Sequence, residues 1–296
     1  NIFHKIIDDI SDSNIKDLDW WSSGPASRNT IASPFYHNIC CIIFIKELII
    51  LNKLNDNSII LVDSKYLKKT IIKIVKPYNK KVTINIKRRL SELLLFRSTK
   101  KFARIIDEII LRLYKIICAR ITIYLSRELP NKELTLIDTY IIPGFINKDR
   151  YYTGLWDLLN TKQQKTIFFV PTLSMVLYKE IFRSYKELRV SKINYLFKED
   201  FLKINDLIYA ITHFQRIRKL KIPEIIINNV DISTIVREEL ISIKNYSSAI
   251  ESLLNFRFVK RLKEQKIKLK LVIDWLENHD IHNGWNFGFN TFCPKL

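Results

Sequence analysis

The chain has 296 residues, 47% of them hydrophobic and 27% charged, a globular composition long enough for one large domain or two small ones. Five glycines argue against a Gly-rich all-β protein, and the longest uncharged apolar run, Asn38 to Ile45, is too short to span a bilayer. The 49 basic residues against 30 acidic ones give a formal charge of +19, which favours a polyanionic partner such as nucleic acid, anionic lipid or a phosphate-bearing small molecule.

The first 23 residues read as a short acidic helix, with Asp8, Asp9, Asp12, Asp17 and Asp19, running into Trp20-Trp21. Small and polar residues with Gly24 and Pro25 then make a loop, and a helix over about 30–53 carries Cys40, Ile43, Phe44, Leu48 and Leu51. Ser58–Ser64 is a continuous apolar run closed by Asp63-Ser64, the pattern of a parallel strand covered on both faces. A helix over 65–76 and a weaker strand at Val82–Ile86 follow.

Residues 88–128 form one long helical pattern. Phe102, Ile105, Ile106, Ile109, Ile110, Leu113, Ile116 and Ile117 recur at three and four, with Arg104, Asp107, Glu108, Arg112, Lys115 and Arg120 between them. The spacing predicts an amphipathic helix packed on the sheet by its apolar face. A basic helix lying on a membrane surface is the other reading. Strands at 134–139 and 165–170 end in Asp138-Thr139 and Pro171-Thr172, and a polar-aromatic loop over 143–154 separates them. Residues 173–265 are mostly helical, and a fifth strand over 268–275 ends in Asp274-Trp275.

Strands alternating with helices predict an α/β fold, one Rossmann-like domain over 1–296 with a largely parallel sheet flanked by helices and with 173–265 as a helical extension. Ligands of open parallel sheets bind beyond the carboxyl ends of the strands. Asp63-Ser64, Asp138-Thr139, Thr172 and the segment after Asp274 are then expected to converge on one edge. A strand-terminal Asp also caps the next helix or turns the chain, and Asp63 reads that way first.

Glu277 is the acid/base candidate, because it follows a strand end within a cluster of acid, amide, imidazole and indole groups; Asp138 is the second catalytic candidate. Arg150, beside Asp149, is suited to a phosphate or carboxylate. His279 and His282 lie three apart, a spacing that serves a metal on a helix; Asn283-Gly284 argues against a helix there, so no metal is expected. Trp285 and Phe287 either stack on a sugar or pack inside. Neither GxGxxG nor GxxxxGK[ST] is present, and nothing resembles an RNP strand or a zinc pattern, which disfavours dinucleotide, P-loop and specific nucleic-acid sites. Cys40, Cys41, Cys118 and Cys293 form no CxxC pair and read as reduced thiols of a cytosolic protein.

Four segments in order carry a resemblance. They are Trp21–Asn29, Leu136–Tyr140 with Asp149–Tyr152, Phe169–Thr172, and Trp275–Asn278 with Gly284–Phe289. Together they resemble the bacterial surface-carbohydrate biosynthesis proteins, glycosyltransferase-like enzymes of capsule and lipopolysaccharide assembly. The resemblance implies the N-terminal half of a GT-B-type enzyme, with a second Rossmann-like domain after Leu296. It further implies a nucleotide-sugar co-substrate without another cofactor, a glycan or lipid-linked acceptor, and a cytoplasmic place beside the inner face of an anionic membrane. The substrate contacts it implies are Arg28, Asn29, Asp149, Arg150, Tyr151, Thr172, Asn278, Trp285 and Asn286. Lys87, Arg88, Arg89, Lys100, Lys101 and Arg104 would face the lipid. The alternative is a non-catalytic basic module bound to membrane or nucleic acid.

Overall fold

The computed structural model describes residues 2–30, 33–78, 81–86, 94–146, 150–227, 229–242, 246–275 and 279–296, with the backbone alone for 94–101. The helices that matter below are α1 (Ile2–Ser13), α2 (Phe35–Ile50), α3 (Lys65–Val75), α4 (Leu94–Ile121), α5 (Tyr178–Arg189), α6 (Ser233–Leu240), α7 (Tyr246–Glu264) and α8 (Asp280–Phe292). The strands are β1 (Ile59–Val62), β2 (Thr83–Ile86), β3 (Leu134–Ile141), β4 (Ile167–Leu173), the short β5 (Ile226–Ile227) and β6 (Val230–Asp231), and β7 (Leu269–Ile273). The protein is therefore mixed α/β, and all five strands expected from the apolar runs are present. No helix among the described residues is long and apolar enough to cross a membrane.

The chain divides into two compact units. The first comprises residues 1–104, 212–249 and 278–280, the second 105–211, 250–277 and 281–296. In the first, β1 and β2 form a two-stranded parallel sheet, and β5 and β6 an antiparallel pair. Its core joins Phe3, Ile7 and Trp20 near the start to α2, α3 and α6. The Ser64 hydroxyl accepts from the amides of Tyr66 and Leu67 and so starts α3. The Asp63-Ser64 strand end is thus a cap. β1 is not covered on both faces: Ile59 and Leu61 are exposed while Val62 is buried.

In the second unit the order is β4-β3-β7, all parallel, with β3 in the middle. β3 and β4 are buried along almost their whole length, which is why both read as unbroken apolar runs. β7 is the exposed edge. The five strands thus do not make one sheet, and Asp63 belongs to a different sheet from Asp138, Thr172 and Asp274.

Two local expectations are overturned here. α4 does not bury its apolar stripe as one face: Ile116 is buried and Ile105 and Ile109 are half-buried, but much of the stripe is not. Glu108, Arg112 and Lys115 are buried, while Phe102, Ile106, Ile110, Leu113 and Ile117 are exposed. The cause is pairing at long range: Arg112 meets Glu251 on α7, and the Lys115 ammonium donates to the Leu173 carbonyl at 2.7 Å. The second correction is α8, which runs straight through Asn283-Gly284. A Cβ at Gly284 would lie 1.8 Å from the Ser252 carbonyl oxygen, and one at Gly288 would lie 3.0 Å from Val259 Cγ2. Glycines four apart let α8 press its backbone against α7, which offsets a helix-propensity cost of about 1 kcal/mol per glycine.

Candidate functional site

β3 and β7 deliver an acid each to the same place. Ile137 pairs with Ile273, so the next residues, Asp138 and Asp274, stand side by side at the carboxyl edge of the sheet. α8 then returns over that edge with His282. Its Nδ1 lies 3.1 Å from Asp274 Oδ1 and 4.0 Å from Asp138 Oδ2. One turn later Asn286 donates through Nδ2 to Asp274 Oδ2 at 2.9 Å. His282 and Asn286 share a face because they are four apart on a helix. Asp138 is 5% exposed and His282 1%.

Burial first, and then the adjacent Asp274 carboxylate, push the Asp138 carboxyl well above the ordinary carboxylate range, while His282 pulls the other way. Among the described residues, no Lys or Arg forms an ion pair with Asp138 or Asp274, although the chain carries 49 basic residues.

Aromatic rings line the same edge. Tyr140, two residues after Asp138, packs against the His282 ring with centroids 6.0 Å apart. Tyr151 lies 4.6 Å from Trp275, and Tyr152 lies 5.9 Å from it. The Arg150 guanidinium is exposed and sits 5.6 Å from the Tyr151 ring. The loop after β3 and the residue after Asp274 thus bring a cation and several flat surfaces to two acids and an imidazole.

The expected site residues divide accordingly. Asp138, Tyr151, Arg150 and Asn286 belong to this edge. Thr172, at the end of β4, accepts from the Lys198 ammonium at 3.0 Å within a charged core. Trp285 is only 1% exposed and packs against Phe258 and Phe289, so it is an interior ring and presents no face for a sugar. Arg28 and Asn29 lie in the first unit, where Arg28 pairs with Asp8 at 2.5 Å. Glu277, Asn278 and Asp149 lie outside the described residues, as do Lys87, Arg88 and Arg89 and the side chains of Lys100 and Lys101; Arg104 is exposed.

Asp274 and His282 were not among the expected site residues, yet they complete the cluster. The usable signal for Asp274 was an acid closing an apolar run, as with Asp138, although β3 itself continues past Asp138 to Ile141. For His282 it was the His282–Asn286 spacing, once a helix is allowed.

That charged core is another buried cluster of the unit. Glu251 on α7 receives Lys198 and Arg112; Arg112 also donates to Glu108 at 2.7 Å, and Lys198 to Asn255 at 2.8 Å. Burial, together with Arg112, pushes Lys115 down to about 7. Compared with known protein families, curated proteins and solved structures, the chain matches none.

Proposed function

We propose that the protein is a glycosyltransferase-like enzyme of surface polysaccharide synthesis, working at the carboxyl edge of the β4-β3-β7 sheet. The observation that carries this reading is the shielded Asp138–Asp274–His282 cluster, walled by Tyr140, Tyr151, Tyr152 and Trp275. Parallel sheets bind ligands at this edge. Aromatic faces suit the apolar side of a sugar ring, and Arg150 suits a phosphate. The parallel strands and their helices are compatible with the Rossmann-like half of a GT-B enzyme, which is the finer form of the proposal.

In such a transfer the bond between the anomeric carbon and the phosphate oxygen breaks, and the nucleoside diphosphate leaves with the electron pair. The acceptor oxygen bonds to that carbon and gives up its proton. Glu277, three residues after Asp274 in the sequence, is the proposed base. Arg150 at the same edge would meet the negative charge that develops on the leaving diphosphate.

The test is titration of the protein with a panel of nucleotide sugars, followed by ligand-observed NMR or calorimetry. At least one should bind, and Trp275→Ala should weaken it by up to about tenfold, the value of one aromatic contact. No affinity for any nucleotide sugar at millimolar concentration overturns the reading.

One observation favours the alternative of a basic binding module. α4 exposes Ile106, Ile110, Leu113 and Ile117 in a chain of net charge +19. Salt-sensitive binding to anionic vesicles, with no nucleotide-sugar affinity, is its signature.

A further inference from the structure

Several acids inside the second unit are each met by a base, although buried Glu199 forms no ion pair among the described residues. Asp206 receives Arg257 at 2.5 Å and Arg261 at 2.7 Å, and Glu251 receives Lys198 and Arg112. Asp200 pairs with Arg189 at 2.6 Å. Asp138 and Asp274 share a single imidazole. Two carboxylates drawn out of water beside each other need positive charge from a proton or a cation.

The donor atoms are arranged for a cation. One oxygen from each acid and one nitrogen of His282 all lie within 4.8 Å of one another. Ligands about 2.1 Å from one ion sit roughly 3–4 Å apart, so shifts of under about 1 Å bring all three onto it. Asn286 fixes the second oxygen of Asp274, the outer-shell support that ligating carboxylates usually have. Two acids and one imidazole form a mixed oxygen–nitrogen set, suited to Mn²⁺ or Zn²⁺ and less to Ca²⁺, which takes six to eight oxygens. Three protein ligands also leave positions open, as in sites that bind a substrate atom.

We propose that Asp138, Asp274 and His282 form a binding site for a divalent cation, Mn²⁺ or Zn²⁺, whose open positions receive the diphosphate oxygens of the substrate. The second half of this proposal rests on the function proposed above; the cation site does not. That no Lys or Arg among the described residues pairs with the two acids is then consistent with a site whose positive charge arrives with the ion.

The test uses the whole chain after treatment with a chelator. Mn²⁺ is titrated and followed by electron paramagnetic resonance, and Zn²⁺ by calorimetry. One equivalent should bind, and Asp138→Asn and Asp274→Asn should each weaken binding at least tenfold. In pulsed spectra the bound Mn²⁺ should show coupling to an imidazole nitrogen, and His282→Gln should remove it. The wild-type spectrum decides the matter even if a variant folds poorly.

Failure of both ions to bind at one equivalent below millimolar concentration overturns the site, and so does binding that all three substitutions leave unchanged. Nucleotide-sugar affinity that is equal with and without chelator overturns the bridging role and leaves the proposed function standing. Cation binding that follows the three substitutions, without nucleotide-sugar affinity, supports the cation site and overturns the proposed function.

Discussion

Among the charged clusters described in the second unit, those around Glu251 and Asp138 solve opposite problems. Around Glu251, acids and bases alternate: Glu108, Arg112, Glu251 and Lys198 each meet an opposite charge, and Thr172 and Asn255 take up further hydrogen bonds. Such a cluster is complete as it stands. Its cost of desolvation is offset only while every member is present. Around Asp138, two acids share one imidazole, and aromatic rings stand where counter-charges would be expected. The contrast separates a charged group that holds the fold from one left open to something else. Burial alone does not distinguish them, since Asp138 and Glu251 are both nearly inaccessible.

The comparison breaks most sharply at Glu251. Glu251→Ala strands Lys198 and leaves Arg112 with Glu108 alone, and removing one partner of a buried ion pair costs about 3–5 kcal/mol. Chemical denaturation should show that loss. Binding of Mn²⁺ by whatever fraction remains folded should match wild type. If the loss is under about 1 kcal/mol, the cluster is not a structural one.

Gly284→Ala comes next, at about 3 kcal/mol, because the new methyl meets the Ser252 backbone and no flexible side chain can yield. The expected signature is selective. His282 travels with α8, so cation binding should fall even in conditions where the protein stays folded, which calorimetry on the folded variant would show.

Asp206 sharpens the balanced side through pH. Burial raises its carboxyl, but the bonds from Arg261, the Lys203 amide and Arg257 outweigh that and hold it below its ordinary value. A lowered folded value stabilises the protein above the unfolded value, near 3.9, and the benefit is lost as pH falls through the folded one. Asp206→Asn should therefore cost about 1.5–3 kcal/mol from pH 7 to 5, and the gap to wild type should narrow below about pH 4. Denaturation curves across that range measure it.

The two clusters also differ in how far they could be read in the sequence. β3 and β4 were legible, because parallel strands covered on both faces must be apolar throughout, and so was the acid that follows β7. The division into two sheets was not, since nothing in Ile59–Val62 says which strand it will pair with. The inward face of α4 was illegible for a clearer reason. Its charged residues are buried against Glu251 and near Leu173, far along the chain, and periodicity records spacing without saying which stripe faces in. α8 was hidden by Asn283-Gly284, which locally signals a break. The contact that makes glycine necessary there, with Ser252, is tertiary. With that helix unrecognised, His282 could not be placed beside two acids from other elements.

The smallest expected effect tests the comparison most directly. Asp138 has a carboxyl raised by burial and by Asp274, so its ionised form is disfavoured in the folded protein. Replacing it with Asn keeps the shape and removes one of two neighbouring acids. In the presence of chelator, Asp138→Asn should leave the unfolding free energy unchanged or raise it by about 1 kcal/mol at most, opposite in sign to Glu251→Ala. Added Mn²⁺ should then raise the melting temperature of the wild type and not that of the variant, because a ligand stabilises only the state that binds it. A loss above about 2 kcal/mol in chelator would mean that Asp138 is already answered by a counter-charge in the fold. The distinction between a complete cluster and an open one would then fail at the residue on which it depends.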